Sequence, residues 1–307
     1  MIKFLRRKSI INKPVRLLLK KLVFQMTDQI RNYVIPRWRV AGEVIIEIDD
    51  IKVRMFSDCD DGIVDALFYN SNNYSEIKEL SLFGSLASRS KFILDIGANT
   101  GFYSIISATK NLESEIWAFE PYSSNSARLK FNLLLNKVEN VVLLEKAFGN
   151  ESKTIRISVP ENGQICDTVS ADAKFSNLFY KEFITYKEVE VEQIRLDDLT
   201  YKRKIDLMKI DVENYELAVL DGARKVLESM SPVIQCEMFV DDSRIEFYEK
   251  VLKPLGYNCY MMLKNGIAFC ESLEPNLEGR DFLFTKRKLD KVYVSYNDKS
   301  LPSQLIP

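Results

Sequence analysis

The run Phe92-Ile93-Leu94-Asp95-Ile96 breaks at once into Gly97-Ala98-Asn99-Thr100-Gly101, and a second apolar run, Ile116-Trp117-Ala118-Phe119, closes on Glu120. Short apolar runs of this kind suit strands buried on both faces of a parallel sheet. At the open end of such a sheet the first turn lets a ligand approach bare backbone, and the second acid can take two ribose hydroxyls. The spacing Asp95-x-Gly97-x-Asn99-x-Gly101 is not the dinucleotide fingerprint, whose third glycine serves a helix that holds a pyrophosphate. A loop ending in Gly-x-Asn-x-Gly suits a cofactor without phosphates, and S-adenosylmethionine is the commonest such ligand.

From Lys91 onward, strand and helix patterns alternate. Strands are predicted at Phe92–Ile96, Glu115–Phe119, Val141–Leu144, Ile205–Asp211, Pro232–Glu237, Tyr257–Leu263 and Asp281–Thr285. Helices fall over Phe102–Lys110, from Ser123 or Ser124 to Asn136, over the stretch carrying Leu217, Leu220, Ala223 and Leu227, and over Arg244–Leu252. That alternation implies a parallel sheet with right-handed crossovers. Ahead of it, Glu43–Ile48 and Ile51–Phe56 flank Asp49-Asp50 as a hairpin. Asn73-Tyr74-Ser75-Glu76 has the form of a capping box opening a helix to about Ala87. Between Phe148 and Lys204 the rhythm breaks into two β-prone pieces, Thr154–Val159 and Glu188–Ile194, around an irregular middle. This insertion is either a wall of an acceptor pocket or an edge hairpin. The polar stretch 288–307 is predicted to be a tail.

Composition narrows the chemistry. The 307 residues contain no histidine, which removes Ser-His and Cys-His nucleophilic systems, imidazole acid–base catalysis and every metal site that needs His. Cys59, Cys166, Cys236, Cys259 and Cys270 are scattered, odd in number and never spaced Cys-x-x-Cys, as expected of reduced thiols in a cytoplasmic protein. Net charge is −1, so no global nucleic-acid footprint exists, yet residues 1–40 carry a net +10 and the remainder −11. Leu17, Leu18, Leu19, Leu22, Val23 and Met26, interspersed with Arg16, Lys20 and Lys21, describe a basic amphipathic helix. It is expected either to contact an anionic membrane surface peripherally or to pack, solvated, on the acidic body. Charges interrupt it too early for a signal peptide.

Several ordered blocks resemble the FkbM family of S-adenosylmethionine-dependent methyltransferases. They are Asp95-Ile96-Gly97-Ala98-Asn99-Thr100-Gly101-Phe102-Tyr103-Ser104, then Ala118-Phe119-Glu120-Pro121 with Asn125, and Lys146-Ala147-Phe148-Gly149. Arg195–Leu199, Ile205–Glu213, Glu216, Leu220–Ala223 and the strand to Glu237 complete the match, which runs from Phe92 to Phe239. One departure stands out: the family usually has Gly after the acid at Glu213, and here Asn214 follows. Asn tolerates positive φ, so the turn is expected to survive.

The resemblance implies an α/β class I methyltransferase of Rossmann-like form: a mostly parallel seven-stranded sheet, helices on both faces and an antiparallel hairpin at one edge. The expected organisation is a basic helical segment (1–40), a hairpin and helix lead-in (41–90), a methyltransferase domain (91–287, insertion 149–204) and a C-terminal tail (288–307). Members mostly methylate hydroxyls, often on sugars, so the expected partner is a small-molecule or glycan acceptor and not a nucleic acid. Competing readings are an RNA or protein methyltransferase and an inactive binding or scaffold module of the same fold.

S-adenosylmethionine is expected against Asp95, Gly97, Ala98, Asn99, Gly101, Phe102, Glu120, Pro121, Ala147 and Asp211. Gly97 and Gly101 supply permissive backbone, and Asn99 an unusual turn. Asp95 orients the loop or the cofactor amino group, or caps the following helix. Asp211, at the carboxyl end of the fourth strand, is the first choice as general base or acceptor anchor, followed by Glu213 and Glu237, with Lys209 weaker; the alternative is that Asp211 and Glu213 cap the next helix. Those three acids can also hold a hard cation, but no spacing demands one, so no metal is expected.

Overall fold

A computed structural model describes residues 9–22, 26, 28–70, 76–161, 165, 185–275 and 280–306. Helix α1 (Ser9–Leu22) and α2 (Asp28–Val34) lead to a hairpin of β1 (Ala41–Ile48) and β2 (Ile51–Asp58) turning at Asp49-Asp50. Along both strands buried and exposed residues alternate, as a half-buried hairpin requires. Helices α3 (Gly62–Asn70) and α4 (Glu76–Ala87) follow, while the predicted capping box at Asn73–Glu76 lies mostly outside the described residues.

The chain then winds through β3 (Phe92–Ile96), α5 (Phe102–Lys110), β4 (Glu115–Phe119), α6 (Ser123–Asn136) and β5 (Val141–Leu144). Every residue of β3 is buried, which explains its unbroken apolar run. After β6 (Ala147–Phe148), β7 (Lys153–Pro160) and β8 (Tyr186–Ile194), the sheet resumes with β9 (Leu207–Ile210), α7 (Glu216–Asp221), α8 (Arg224–Ser229) and β10 (Val233–Glu237). The last part holds α9 (Asp242–Phe247), a π-helical turn (Tyr248–Leu252), β11 (Asn258–Leu263), β12 (Gly266–Cys270), β13 (Asp281–Thr285), β14 (Tyr293–Ser295) and α10 (Leu301–Leu305).

The main sheet runs β5-β4-β3-β9-β10-β13-β11-β12-β14. β5, β4, β3, β9 and β10 are parallel, and β13 is antiparallel to both β10 and β11. Seven strands therefore follow the expected class I arrangement, but the sheet has nine, because β12 and β14 extend it. β14 comes from the stretch expected to be a tail. That expectation fails because Leu289, Val294, Leu301, Leu305 and Ile306 are buried in one apolar cluster with α4 and the sheet. A three-residue strand and a five-residue helix are too short to show a period in the sequence. A further correction concerns the helix after β9, which is two, α7 and α8, broken at Gly222-Ala223. A Cβ at Gly222 would lie 2.0 Å from the Gly149 carbonyl oxygen, a close approach between segments distant in sequence.

The insertion supplies β7 and β8, which join β6 in a separate three-stranded sheet of order β6-β8-β7, and its central part, 166–184, lies outside the described residues. The lead-in hairpin packs on the main domain: the N–H groups of Arg54 and Phe56 donate to the side chains of Asn136 and Asn132, and Arg128 pairs with Asp60 at 3.1 Å. Among the described residues no helix is long and apolar enough to cross a membrane.

Candidate functional site

The strand order reverses between β3 and β9: β3 leads to β4 on one side, while β9 and β10 extend the other. A crevice opens beyond the carboxyl ends of strands at such a point. Here it is a cavity of about 250 Å³, lined by the loops after β3, β4, β9 and β10, by Ile63, Glu79 and Leu80 of the lead-in, and by Lys146–Phe148, Ile155 and Ile157.

The loop after β3 is built from the residues that its shape requires. Gly97 (φ 81°) and Ala98 both donate their N–H to the Phe119 carbonyl, at 3.0 and 2.9 Å, which ties the loop to the end of β4. A Cβ at Gly97 would stand 1.7 Å from the Asp211 carbonyl oxygen, so no larger residue fits between β3 and β9. Asn99 adopts φ 47° and Gly101 φ 99°, and Gly101 enters α5. The Thr100 hydroxyl donates to Asp61 at 2.9 Å, and the Asn132 amide donates to the Thr100 carbonyl at 2.9 Å. Asp61 is buried and belongs to the lead-in, so that segment braces the loop. Nothing in the sequence spacing links it to Thr100.

Glu120 is buried at the end of β4. One carboxylate oxygen accepts the Asn99 N–H and the other the Tyr122 N–H, each at 2.9 Å. A carboxylate has about four lone-pair sites, so roughly two remain for a ligand. Burial pushes Glu120 up to about 7, against the pull of those two donors and with the help of the Asp95 and Asp211 charges. The Asn99 side-chain oxygen is buried and accepts no hydrogen bond among the described residues.

The floor is acidic. Asp95 does not line the cavity. It lies behind, accepting a 2.5 Å hydrogen bond from the Ser104 hydroxyl of α5, and burial pushes it up to about 6. Asp211 pairs with Lys209 at 3.2 Å, and the buried Lys209 ammonium lies 4.9 Å from the centre of the Tyr103 ring. Burial alone lowers an ammonium pKa, but the surrounding charges, Asp211 first, hold Lys209 well above its ordinary value. Glu237 is pushed up to about 9 by the Asp211 charge and then by burial. Asp281 is raised by burial, and it hydrogen-bonds with Glu79. Glu79 and Asp281 both line the cavity and both escaped sequence reasoning, since no motif spans elements some two hundred residues apart.

The structure thus brings Gly97, Ala98, Asn99, Gly101, Phe102, Glu120, Pro121, Ala147, Asp211, Glu213 and Glu237 to one cavity, with only Asp95 set back from it. The turn after β9 runs through positive φ at Glu213 (50°) and Asn214 (73°), so Asn214 does adopt the conformation expected of it. The buried Arg244 guanidinium of α9 holds that turn, donating to the Asn214 carbonyl at 3.1 Å, its side-chain oxygen at 2.7 Å and Glu216 at 3.1 Å. Glu216 in turn accepts the Asn214 N–H at 2.7 Å. Six carboxylates and one ammonium line the cavity, together with apolar walls. Such a lining favours a ligand with positive charge, paired hydroxyls and a flat apolar part.

The Methyltransferase FkbM domain family matches residues 95–259, more than half of the chain. "Methyltransferase 1" of Beauveria bassiana (strain ARSEF 2860) is 27% identical over 143 residues, which cover 43% of this chain and 57% of that protein. "Methyltransferase sdnD" of Sordaria araneosa is 30% identical over 156 residues, covering 43% and 60%. The matched part therefore spans less than two thirds of either relative. Among solved structures, a methyltransferase FkbM from Methylobacillus flagellatus KT aligns over 72% of this chain and 65% of its own, at 13% identity and a TM-score of 0.39.

Proposed function

The chain belongs to the FkbM family of methyltransferases, and on that premise we propose that it uses S-adenosylmethionine to methylate a hydroxyl of a saccharide or glycoconjugate. The observation that carries the cofactor reading is the pair of free acceptors at the β3–β4 end of the cavity. Glu120 keeps lone pairs for two ribose hydroxyls, and the orphaned Asn99 oxygen is an acceptor waiting for a donor. Leaving such an acceptor buried and unmatched costs free energy that a ligand donor relieves. Acid on the floor suits the cofactor's positive charge, and Ala147, Phe148, Ile155 and Ile157 offer an apolar face for adenine. When bound, S-adenosylmethionine supplies an activated methyl group on a sulfonium centre.

A hydroxyl acceptor must also lose a proton, and the chain has no imidazole to take it. Glu237, held at about 9, is protonated at neutral pH and can donate a hydrogen bond to an acceptor oxygen. It keeps the proton because it stands beside Asp211, which pairs with Lys209, and because it is buried. Asp211 is therefore the carboxylate suited to accept the proton, and Glu237 the one suited to position the substrate. Glu213, on the positive-φ turn beside them, also lines the cavity.

Calorimetric titration of S-adenosylmethionine into the protein tests the first half. Binding is expected, and Glu120→Ala is expected to weaken it by roughly 10- to 100-fold, the loss of a charged acceptor. Glu120→Gln, which keeps one acceptor oxygen and with it only one of the two loop bonds, should lie between. Thermal melting of each variant separates a lost ligand contact from a lost fold. No heat of binding to a folded wild type defeats the cofactor reading. Incubation with methyl-labelled cofactor and fractionated glycans, RNA and protein tests the second half. Label is expected in glycans, and label confined to RNA or protein overturns the acceptor.

A further inference from the structure

Helix α1 is oriented the wrong way round for a helix whose work is only to pack. At 100° per residue, Asn12, Arg16, Leu19 and Lys20 share one face, and this is the side turned to the protein. Asn12 donates to the Arg39 carbonyl at 2.9 Å and accepts the Ala41 N–H at 3.3 Å. Arg16 is buried and donates to the carbonyls of Ala41 and Glu43, and the Lys20 ammonium lies 4.7 Å from the centre of the Phe68 ring. The docking side is thus largely polar and cationic, fixed by specific hydrogen bonds to the backbone at the start of β1.

The opposite side carries the apolar residues. Ile11, Leu18 and Leu22 form one row along the helix and Lys13, Leu17 and Lys21 another, and all six are exposed. Leu17 and Leu18 show 45% and 58% of their surface to solvent. Among the described residues, six of the fourteen exposed large apolar side chains fall between Ile11 and Tyr33, including Ile30 and Tyr33 of α2, so the exposure is concentrated and not scattered. Leucines standing outward between lysines, in a segment with a net +10, match an interface that is apolar inside and negatively charged at its surface.

We propose that α1 is an interfacial helix that seats this protein on an anionic lipid bilayer, with Leu17, Leu18 and Leu22 entering the acyl boundary and Lys13 and Lys21 meeting lipid phosphates. At 14 residues the helix lies in the interface plane and does not span it. Its orientation is set by Asn12 and Arg16, which hold the polar side on the protein and leave the leucine side free.

Flotation of the full chain with vesicles tests this. At low ionic strength the wild type is expected to float with phosphatidylglycerol–phosphatidylcholine vesicles, and to be largely released by added salt. With phosphatidylcholine alone it should remain mostly unbound. Lys13→Glu/Lys21→Glu is expected to lower the bound fraction roughly tenfold or more, and Leu17→Ser/Leu18→Ser to lower it comparably, while both melt like the wild type. Three results overturn the proposal. They are a wild type that ignores anionic vesicles at low salt, variants that bind as well as the wild type, and a wild-type dimer that Leu17→Ser/Leu18→Ser converts to monomer by light scattering, since a second copy would then cover this face.

Discussion

Between the ordinary glutamate value of 4.5 and about 9, the folded protein holds a proton on Glu237 that the unfolded chain has released. Where the native state binds the extra proton, stability falls as pH rises. The favourable contribution is complete below 4.5 and is lost as pH climbs through 9. Glu120 acts in the same direction up to about 7 and Asp95 up to about 6, so the site as a whole disfavours alkaline conditions. Glu237→Gln keeps the hydrogen-bond donor and cannot ionise. Its urea midpoint relative to wild type is therefore expected to shift in the variant's favour between pH 7 and pH 9.5. A gap that stays constant, or moves the other way, would mean Glu237 is already ionised at neutral pH. That Glu237 and Asp211 are acids at strand ends was legible in the sequence. Which of them holds the proton was not, because it depends on Asp281 and Lys209 and on burial by elements far away in the chain.

Elements were legible where local pattern and tertiary need coincide. Phe92–Ile96, Glu115–Phe119, Phe102–Lys110 and the end of α6 at Asn136 stand where the apolar runs and serines place them. The break between α7 and α8 and the role of α9 were not legible, since both answer to contacts across the fold. Arg244 reaches back 30 residues to pin the turn that carries Glu213 and Asn214. It is almost fully buried, as is Glu216, whose carboxyl burial pushes up even with Arg244 beside it. Removing one partner of a buried pair leaves an uncompensated charge and a loosened positive-φ turn. Arg244→Leu is expected to destabilise the protein by roughly 3–5 kcal/mol in urea unfolding. It should also weaken S-adenosylmethionine binding under conditions where the variant is folded. A stability change below about 1 kcal/mol would mean that solvent already satisfies Glu216.

At the scale of the whole molecule, the expected four-part organisation meets a structure whose parts share apolar clusters. Val44, Ile46, Val53 and Met55 of the hairpin pack with Phe102 and Ile105 of α5 and Leu129 of α6. Leu301, Leu305 and Ile306 pack with Phe83 and Leu86 of α4 and Ile267 and Leu283 of the sheet. The Arg89 side chain also donates to the Ile306 carbonyl, which fastens the last described residues to the turn before β3. Length and polarity suggested a tail because the sequence of 288–307 holds too few apolar residues to form a core of its own. They complete a core that other segments began. Leu301→Ala is therefore expected to cost roughly 2–4 kcal/mol, read as a lowered melting temperature. Ending the chain at Arg287 removes five buried apolar side chains, each contributing roughly 1.5–3 kcal/mol, against a typical total stability of about 5–15 kcal/mol. The shortened protein is expected not to reach the native state. The same sharing predicts one cooperative unfolding transition for the full chain, with α1 free to fray first. A calorimetric scan with two separated transitions, or an Arg287-terminated protein that melts like the full one, would show instead that the sheet from β3 to β13 stands without its flanks.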